Sequence, residues 1–210
     1  MLLLGDDARL VISASDLRTA SACEFAVVRQ LDVLLGRAER VEEPRDPMLD
    51  RVKALGDQHE QAELRRLSRE HPGRVRHLPT PSNTPHDLAA AMTTTLETLS
   101  SGAEVVSQAT VFDGGFVGRA DFLELTPAGW LVSDTKLARH ATVSALLQVG
   151  AYAALLLDAG APVAPIVRLV LGDGATRDDP LGEVLPVYRS RRARLDGILA
   201  DHRADEAPAA

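Results

Sequence analysis

The chain has 210 residues, a formal net charge of −7 and an apolar fraction of 45%, enough for a packed core and too apolar for a disordered chain. The acidic balance excludes a protein that coats nucleic acid through bulk charge, while leaving room for a local basic groove. The single cysteine, Cys23, excludes an internal disulfide and suits a reducing cytoplasm, and no apolar run is long enough to span a membrane.

Taken in chain order, "MLLL" is followed at once by Gly5, Asp6 and Asp7, a pattern unlike a signal peptide. Leu10 to Ala14 reads as a short strand. Ser13 or Ser15 can cap a helix that follows and runs to Gly36, with apolar residues at helical spacing. Val41 to Pro47 is a loop. A second helix covers Met48 to Glu70, and His71-Pro72-Gly73 stops it. His77 to Asp87, with its three prolines, is a loop between elements. A helix is expected over Leu88 to Ser101.

Three strands then form a meander: Glu104 to Asp113, Phe116 to Leu125 and Trp130 to Ala138. Asp113-Gly114-Gly115 and Thr126-Pro127-Ala128-Gly129 supply the turns. Thr142 to Gly160 is an almost wholly apolar helix and should be buried on most sides. Ala164 to Gly174 and Gly182 to Arg189 read as strands, and Arg191 to His202 as a last helix that fades into a frayed tail over 203–210. The pattern is an α/β fold with a mixed central sheet flanked by helices. Two stretches are rich in arginine, Leu64 to His77 and Tyr188 to Asp196; each is expected to be a solvated helix face. His71, His77, His86, His140 and His202 show no ligand spacing and read as surface residues. Glu60 and Glu63 likewise read as a solvated face.

The meander carries the most informative chemistry. Lysine is rare: Lys53 and Lys136 stand against twenty-one arginines. Side chains alternate across a strand, so Val132, Asp134 and Lys136 share one face, and Arg119, Asp121 and Leu123 share one face of the preceding strand. A hairpin can bring Asp121, Asp134 and Lys136 onto one surface, with Glu124 as a substitute for Asp121 in another register. Paired carboxylates repel unless a proton or cation lies between them. A hard divalent ion suits them, and a compact ammonium suits an attacking water better than a guanidinium does. The same residues also fit a plain Asp134–Lys136 ion pair at a sheet edge.

In this arrangement the chain resembles the PD-(D/E)XK nuclease superfamily, and within it the RecB-like nuclease domains found in larger helicase-associated proteins. The resemblance rests on His59 in "GDQHEQ", Asp121 in "GRADF", the tripeptide Asp134-Thr135-Lys136, and Gln148-x-x-x-Tyr152 on the next helix. It runs from about Ser13 to Tyr188. It implies a restriction-endonuclease-like core over one domain, 1–210, and a DNA nuclease with a role in DNA repair. By that resemblance His59, Asp121, Asp134 and the Thr135 carbonyl would hold Mg²⁺ or Mn²⁺. Asp134 and Lys136 would be catalytic, Lys136 positioning the water, with Gln148 and Tyr152 supporting the site or touching phosphate. The implied partners are DNA, as single strands or ends, and a helicase region in the same protein or a separate chain.

Many RecB-like relatives hold an iron–sulfur cluster through four cysteines. Cys23 stands where the first would, and the other three are absent from this sequence. One cysteine cannot hold a cluster within the chain, so Cys23 is expected to be a small buried hydrophobe. A second reading is a catalytically inactive nucleic-acid-binding or scaffold module of the same fold serving a helicase partner.

Overall fold

A computed structural model describes residues 1–5, 9–41 and 44–204. The elements are β1 (Leu2–Leu4), β2 (Arg9–Ser13), α1 (Ala14–Ala22), α2 (Glu24–Leu34), α3 (Pro47–Glu70), β3 (Val75–His77), α4 (Pro85–Leu99), β4 (Val105–Phe112), β5 (Phe116–Thr126), β6 (Gly129–Lys136), α5 (Val143–Asp158), β7 (Val163–Leu171), β8 (Thr176–Pro180) and α6 (Leu181–Ala204). The expected mixed sheet with flanking helices is present. The sheet has eight strands in the order β1-β2-β5-β6-β7-β8, with β4 on the other edge of β5 and β3 beyond it. The meander β4-β5-β6 is antiparallel. β7 returns parallel to β6 through the crossover helix α5, as a parallel neighbour requires. Among the described residues no helix is long and apolar enough to cross a membrane.

The large core lies on the α5 side of the sheet. Every residue of α5 from Ala145 to Leu156 is buried except Leu146 and Gln148, and its apolar surface joins α1, α2, α6 and the inner faces of β4 to β7. A smaller cluster of Leu67, Val105 and Phe122 packs α3 on the opposite face.

Several elements depart from the sequence expectation. The first helix is two helices, broken at Cys23, whose backbone is extended (φ −159°, ψ 108°). α1 buries Asp16 and Leu17, and α2 buries Val27 and Leu31. Cys23 itself is exposed, contrary to the buried position expected.

The stretch 182–189 is helical rather than a strand. Leu181, Val184, Tyr188, Leu195 and Leu199 recur at helical spacing and are the buried positions of α6, a period that a short apolar run hides. The strand beside β7 is instead the polar Thr176–Pro180. Its proline falls at the terminus of an edge strand, where the missing N–H is tolerated, and Asp178 pairs across the strands with Arg168 at 2.7 Å. The expected frayed tail begins at 203, but α6 includes Arg203 and Ala204; 205–210 lie outside the described residues.

The arginine-rich stretches are neutralised in part. Arg66 bonds Glu63 and Glu70, Arg74 bonds Glu104, Arg192 bonds Asp196 and Arg194 bonds Glu24.

Leu156 is fully buried and Val187 is 47% exposed. Leu156→Ala should lower unfolding stability by about 2–5 kcal/mol, and Val187→Ala should stay within about 0.5 kcal/mol. Urea denaturation of the two variants checks this.

Candidate active site

β5 is shared along one edge by two strands. β2 pairs with it at Phe116 and Val117, and β6 pairs with it from Phe122 to Thr126. Between them, residues 118–121 face β4 on one edge only. The polar groups of such a gap still need partners. Side chains supply two of them. The Thr135 N–H and hydroxyl both donate to Asp121 Oδ2, each at 2.8 Å. The Arg119 backbone bonds the Tyr152 hydroxyl.

Continuing the Phe122–Ser133 register sets Asp121 opposite Asp134. The two carboxylates therefore meet where the strands part. Glu124 falls on the other face, where the Ser133 hydroxyl donates to it at 3.1 Å, so it does not replace Asp121.

Asp134 is 1% exposed. Lys136, two residues on, lies against its Oδ2 as an ion pair, and that oxygen has no other partner among the described residues. Gln148 completes the cluster. Its Oε1 accepts from Lys136 Nζ at 3.0 Å, and its Nε2 donates to Asp134 Oδ1 at 3.0 Å and to the Tyr152 hydroxyl at 2.9 Å. The charges fix the amide orientation: an ammonium can only face the oxygen and a carboxylate can only face the nitrogen. Gln148 and Tyr152 share one face of α5 because they are four residues apart. β6 lies between β5 and β7, so this ion pair belongs to the sheet interior and not to an edge.

Burial pushes the Asp134 carboxyl up from 3.8 to about 7; the neighbouring Asp121 charge adds to the rise and Lys136 opposes it. Burial chiefly, then the Asp134 charge, raises the Tyr152 phenol. Glu60 of α3 is also raised, by burial and then by Asp121.

His59 is not gathered with these carboxylates through its Nε2. That nitrogen stands 3.2 Å from the Val170 carbonyl on β7, and since a carbonyl only accepts, Nε2 carries the proton there. The next residue, Glu60, is the α3 group whose charge acts on both Asp121 and Asp134. This corrects the expectation that Glu60 lies on a solvated face; Glu63 is likewise buried, bound to Arg66. Gln108 bonds Glu60 through its amide nitrogen and receives Arg119 Nε on its oxygen. It does so with a backbone φ of +60°, the one described non-glycine residue in that region, which costs on the order of 1–3 kcal/mol. No sequence signal marks Gln108. A cleft of about 490 Å³ opens beside Lys136, Gln148 and Tyr152.

The donors can be tested against the implied cation. Asp121 and Asp134 are hard oxygen donors, and the buried Asp134 Oδ2 meets only the Lys136 ammonium among the described residues. Mg²⁺ is commonly held by one or two carboxylates while water fills its other positions, so this pair fits. His59 Nε2, as bonded, does not. Among the described residues no three His, Cys, Asp or Glu side chains stand close enough to hold an ion as they are arranged.

No family model and no curated protein matches the chain. Among solved structures, that of a "putative exonuclease" from Eubacterium rectale aligns with 91% of this chain and 82% of its own, at 14% identity and a TM-score of 0.43. A likeness of that size fixes neither family nor activity.

Two predictions follow from the packing and charge of this cluster. A Cβ on Gly118 would stand 2.2 Å from Tyr152 Cε1, and the Tyr152 ring is buried. Gly118→Ala should cost about 1–3 kcal/mol by overpacking, read by urea denaturation. The folded state also holds the Asp134 proton more tightly than the unfolded chain does. Its contribution to stability should therefore fall as pH rises from 3.8 to about 7 and level off above. Thermal melts across that range should show a fall that Asp134→Asn removes.

Proposed function

We propose that the protein is a divalent-metal-dependent nuclease of the PD-(D/E)XK superfamily, RecB-like, that hydrolyses phosphodiester bonds in DNA. The observation that carries this reading is the buried Asp134, set opposite Asp121 and beside a lysine held by Gln148. A structural ion pair would not need a second carboxylate at its side, since like charges oppose each other there.

Asp121 and Asp134, with the Thr135 carbonyl, are the ligands proposed for Mg²⁺ or Mn²⁺; Glu60 can join through water, and His59 only after giving up Val170. A cation held there would lower the pKa of a bound water and neutralise charge on the phosphoryl oxygens. Lys136 then orients the attacking water and stabilises the negative charge that develops at phosphorus. Gln148 keeps the ammonium in place by accepting from it, and holds Asp134 Oδ1 with the same amide. Tyr152 fixes Gln148 from the other side. Positioning and electrostatics carry the reaction, with no covalent enzyme intermediate.

A non-catalytic nucleic-acid module of the same fold is the second reading. The ion pair that already neutralises Asp134, together with the absence of a three-ligand cluster among the described residues, favours it.

The deciding experiment incubates wild type, Asp134→Ala and Lys136→Ala with labelled single- and double-stranded DNA, with Mn²⁺ and with EDTA. The nuclease reading expects metal-dependent cleavage that falls at least about a hundredfold in each variant. Cleavage unchanged in both variants would overturn it, and a wild type that binds DNA without cutting would leave the second reading in front.

A further inference from the structure

The connection between β3 and α4, residues 78–84, borders the cleft, and its two ends are fixed. At one end Leu78 packs on the main core and donates its N–H to the Ser107 carbonyl at 3.0 Å. At the other Thr84 caps α4, its hydroxyl accepting the Asp87 N–H at 3.1 Å. Between these anchors, Pro79 to Asn83 make no backbone–backbone hydrogen bond among the described residues. The Ser82 hydroxyl bonds Asp87 of α4. One bond crosses to the sheet: Arg119 Nη1 on β5 donates to the Thr80 hydroxyl.

This strap has open space on both sides. Thr80, Pro81 and Asn83 line the cleft of about 490 Å³ that reaches Lys136. Leu78, Pro79, Pro81 and Ser82 line a second cavity, of about 280 Å³, against α4. Pro81 and Thr110 line both, so the strap partitions the two spaces and Thr110 of β4 lies at its foot. Thr110 is 2% exposed, and its hydroxyl has no hydrogen-bond partner among the described residues, which is rare for a buried hydroxyl. The two prolines fix φ and remove two donors, so the strap is stiff and moves without breaking backbone bonds. Arg119 is held in turn by Gln108, whose oxygen accepts its Nε and whose nitrogen bonds Glu60. Gln108 carries the left-handed backbone (φ +60°), a conformation that persists only where its surroundings impose it.

We propose that Pro79 to Asn83 form a hinged gate on the cleft, latched shut by the Arg119–Thr80 bond and opened by swinging into the cavity behind. That cavity receives the displaced strap without disturbing the core. Opening breaks one bond to the sheet and gives the Thr110 hydroxyl access to water, so little opposes it. Gln108 makes the latch effective by keeping the Arg119 guanidinium aimed at Thr80. What the gate admits rests on the nuclease reading above. A cleft of this volume is in the small-ligand range, and a polymer strand needs the strap out of its way. Segments that close over active sites come from the least stable parts of a fold, and a stretch held by one crossing bond is such a part.

The test reads the gate itself, with neither DNA nor metal present. In a Cys23→Ser background, which removes the chain's one cysteine, Thr110→Cys places a thiol beneath the strap. The exchange is close in size and deletes only a hydroxyl that has no partner. The rate at which a fluorescent maleimide labels this thiol, without denaturant, follows the fraction of time the strap is open. Thr80→Val removes the latch acceptor at an exposed position. It should speed labelling at least about tenfold, the ratio expected for one lost hydrogen bond to a charged group. Thr80→Ser keeps the hydroxyl and should label at the parent rate. A rate unchanged by Thr80→Val, or raised equally by Thr80→Ser, would overturn the proposal. So would a parent thiol that reacts as fast as free cysteine, or an acceleration matched by an equal loss of global stability in urea. Failure here leaves the nuclease reading standing, and a protein that never cleaves DNA leaves the gate standing.

Discussion

The parting of β6 from β5 beyond the Phe122–Ser133 pair is the constraint on which the site depends. Below that point the two strands satisfy each other's backbone. Above it β6 keeps only its pairing with β7, and β5 keeps β4 on one edge only. Side chains then supply bonds that the ladder would have made: Asp121 takes the Thr135 amide and Tyr152 meets the Arg119 backbone. One geometric event therefore sets two carboxylates face to face, opens a cleft at residues 117–119 and draws α5 over the gap. Gly118 belongs to the same solution, since any side chain there would meet the Tyr152 ring.

Asp134 is the costly member of this arrangement. Its burial works against ionisation, and the facing Asp121 adds to the cost. The ammonium of Lys136 and the amide of Gln148 offset part of it. Lysine serves here better than arginine for a geometric reason. The ammonium is compact enough to touch Asp134 and Gln148 at once from a side chain two residues along the same strand, where a planar fork would need a wider opening. Carboxylates gather at Asp121, Asp134 and Glu60, and Lys136 and Arg119 are the positive groups set against them.

Much of the architecture was legible in the sequence because it rests on local rules. The meander β4-β5-β6 follows from alternation and two turns, and α5 from its unbroken apolar run. The shared faces of Asp134 with Lys136 and of Gln148 with Tyr152 follow from periods of two and about four residues. Other parts depend on tertiary context. Adjacent residues on a helix point about 100° apart, so choosing between His59 and Glu60 required knowing how α3 rolls against the sheet. The left-handed backbone of Gln108 is imposed by neighbours in the sheet and leaves no local mark. The run 182–189 carries enough apolar residues to read either way, and only the core contacts of Val184 and Tyr188 make it helix. The arginine stretches looked like the basic feature of the chain. The fold instead pairs Arg66, Arg74, Arg192 and Arg194 with acids.

The central claim is that the paired carboxylates at the strand fork hold a divalent cation. Calorimetric titration of Mn²⁺ into wild type, Asp121→Ala and Asp134→Ala tests it most directly. The account predicts saturable binding to wild type that is lost in both variants, with each variant still folded by circular dichroism. Wild-type-like binding in Asp134→Ala, or no binding to wild type, would contradict it and return Asp134 and Lys136 to a buried structural ion pair.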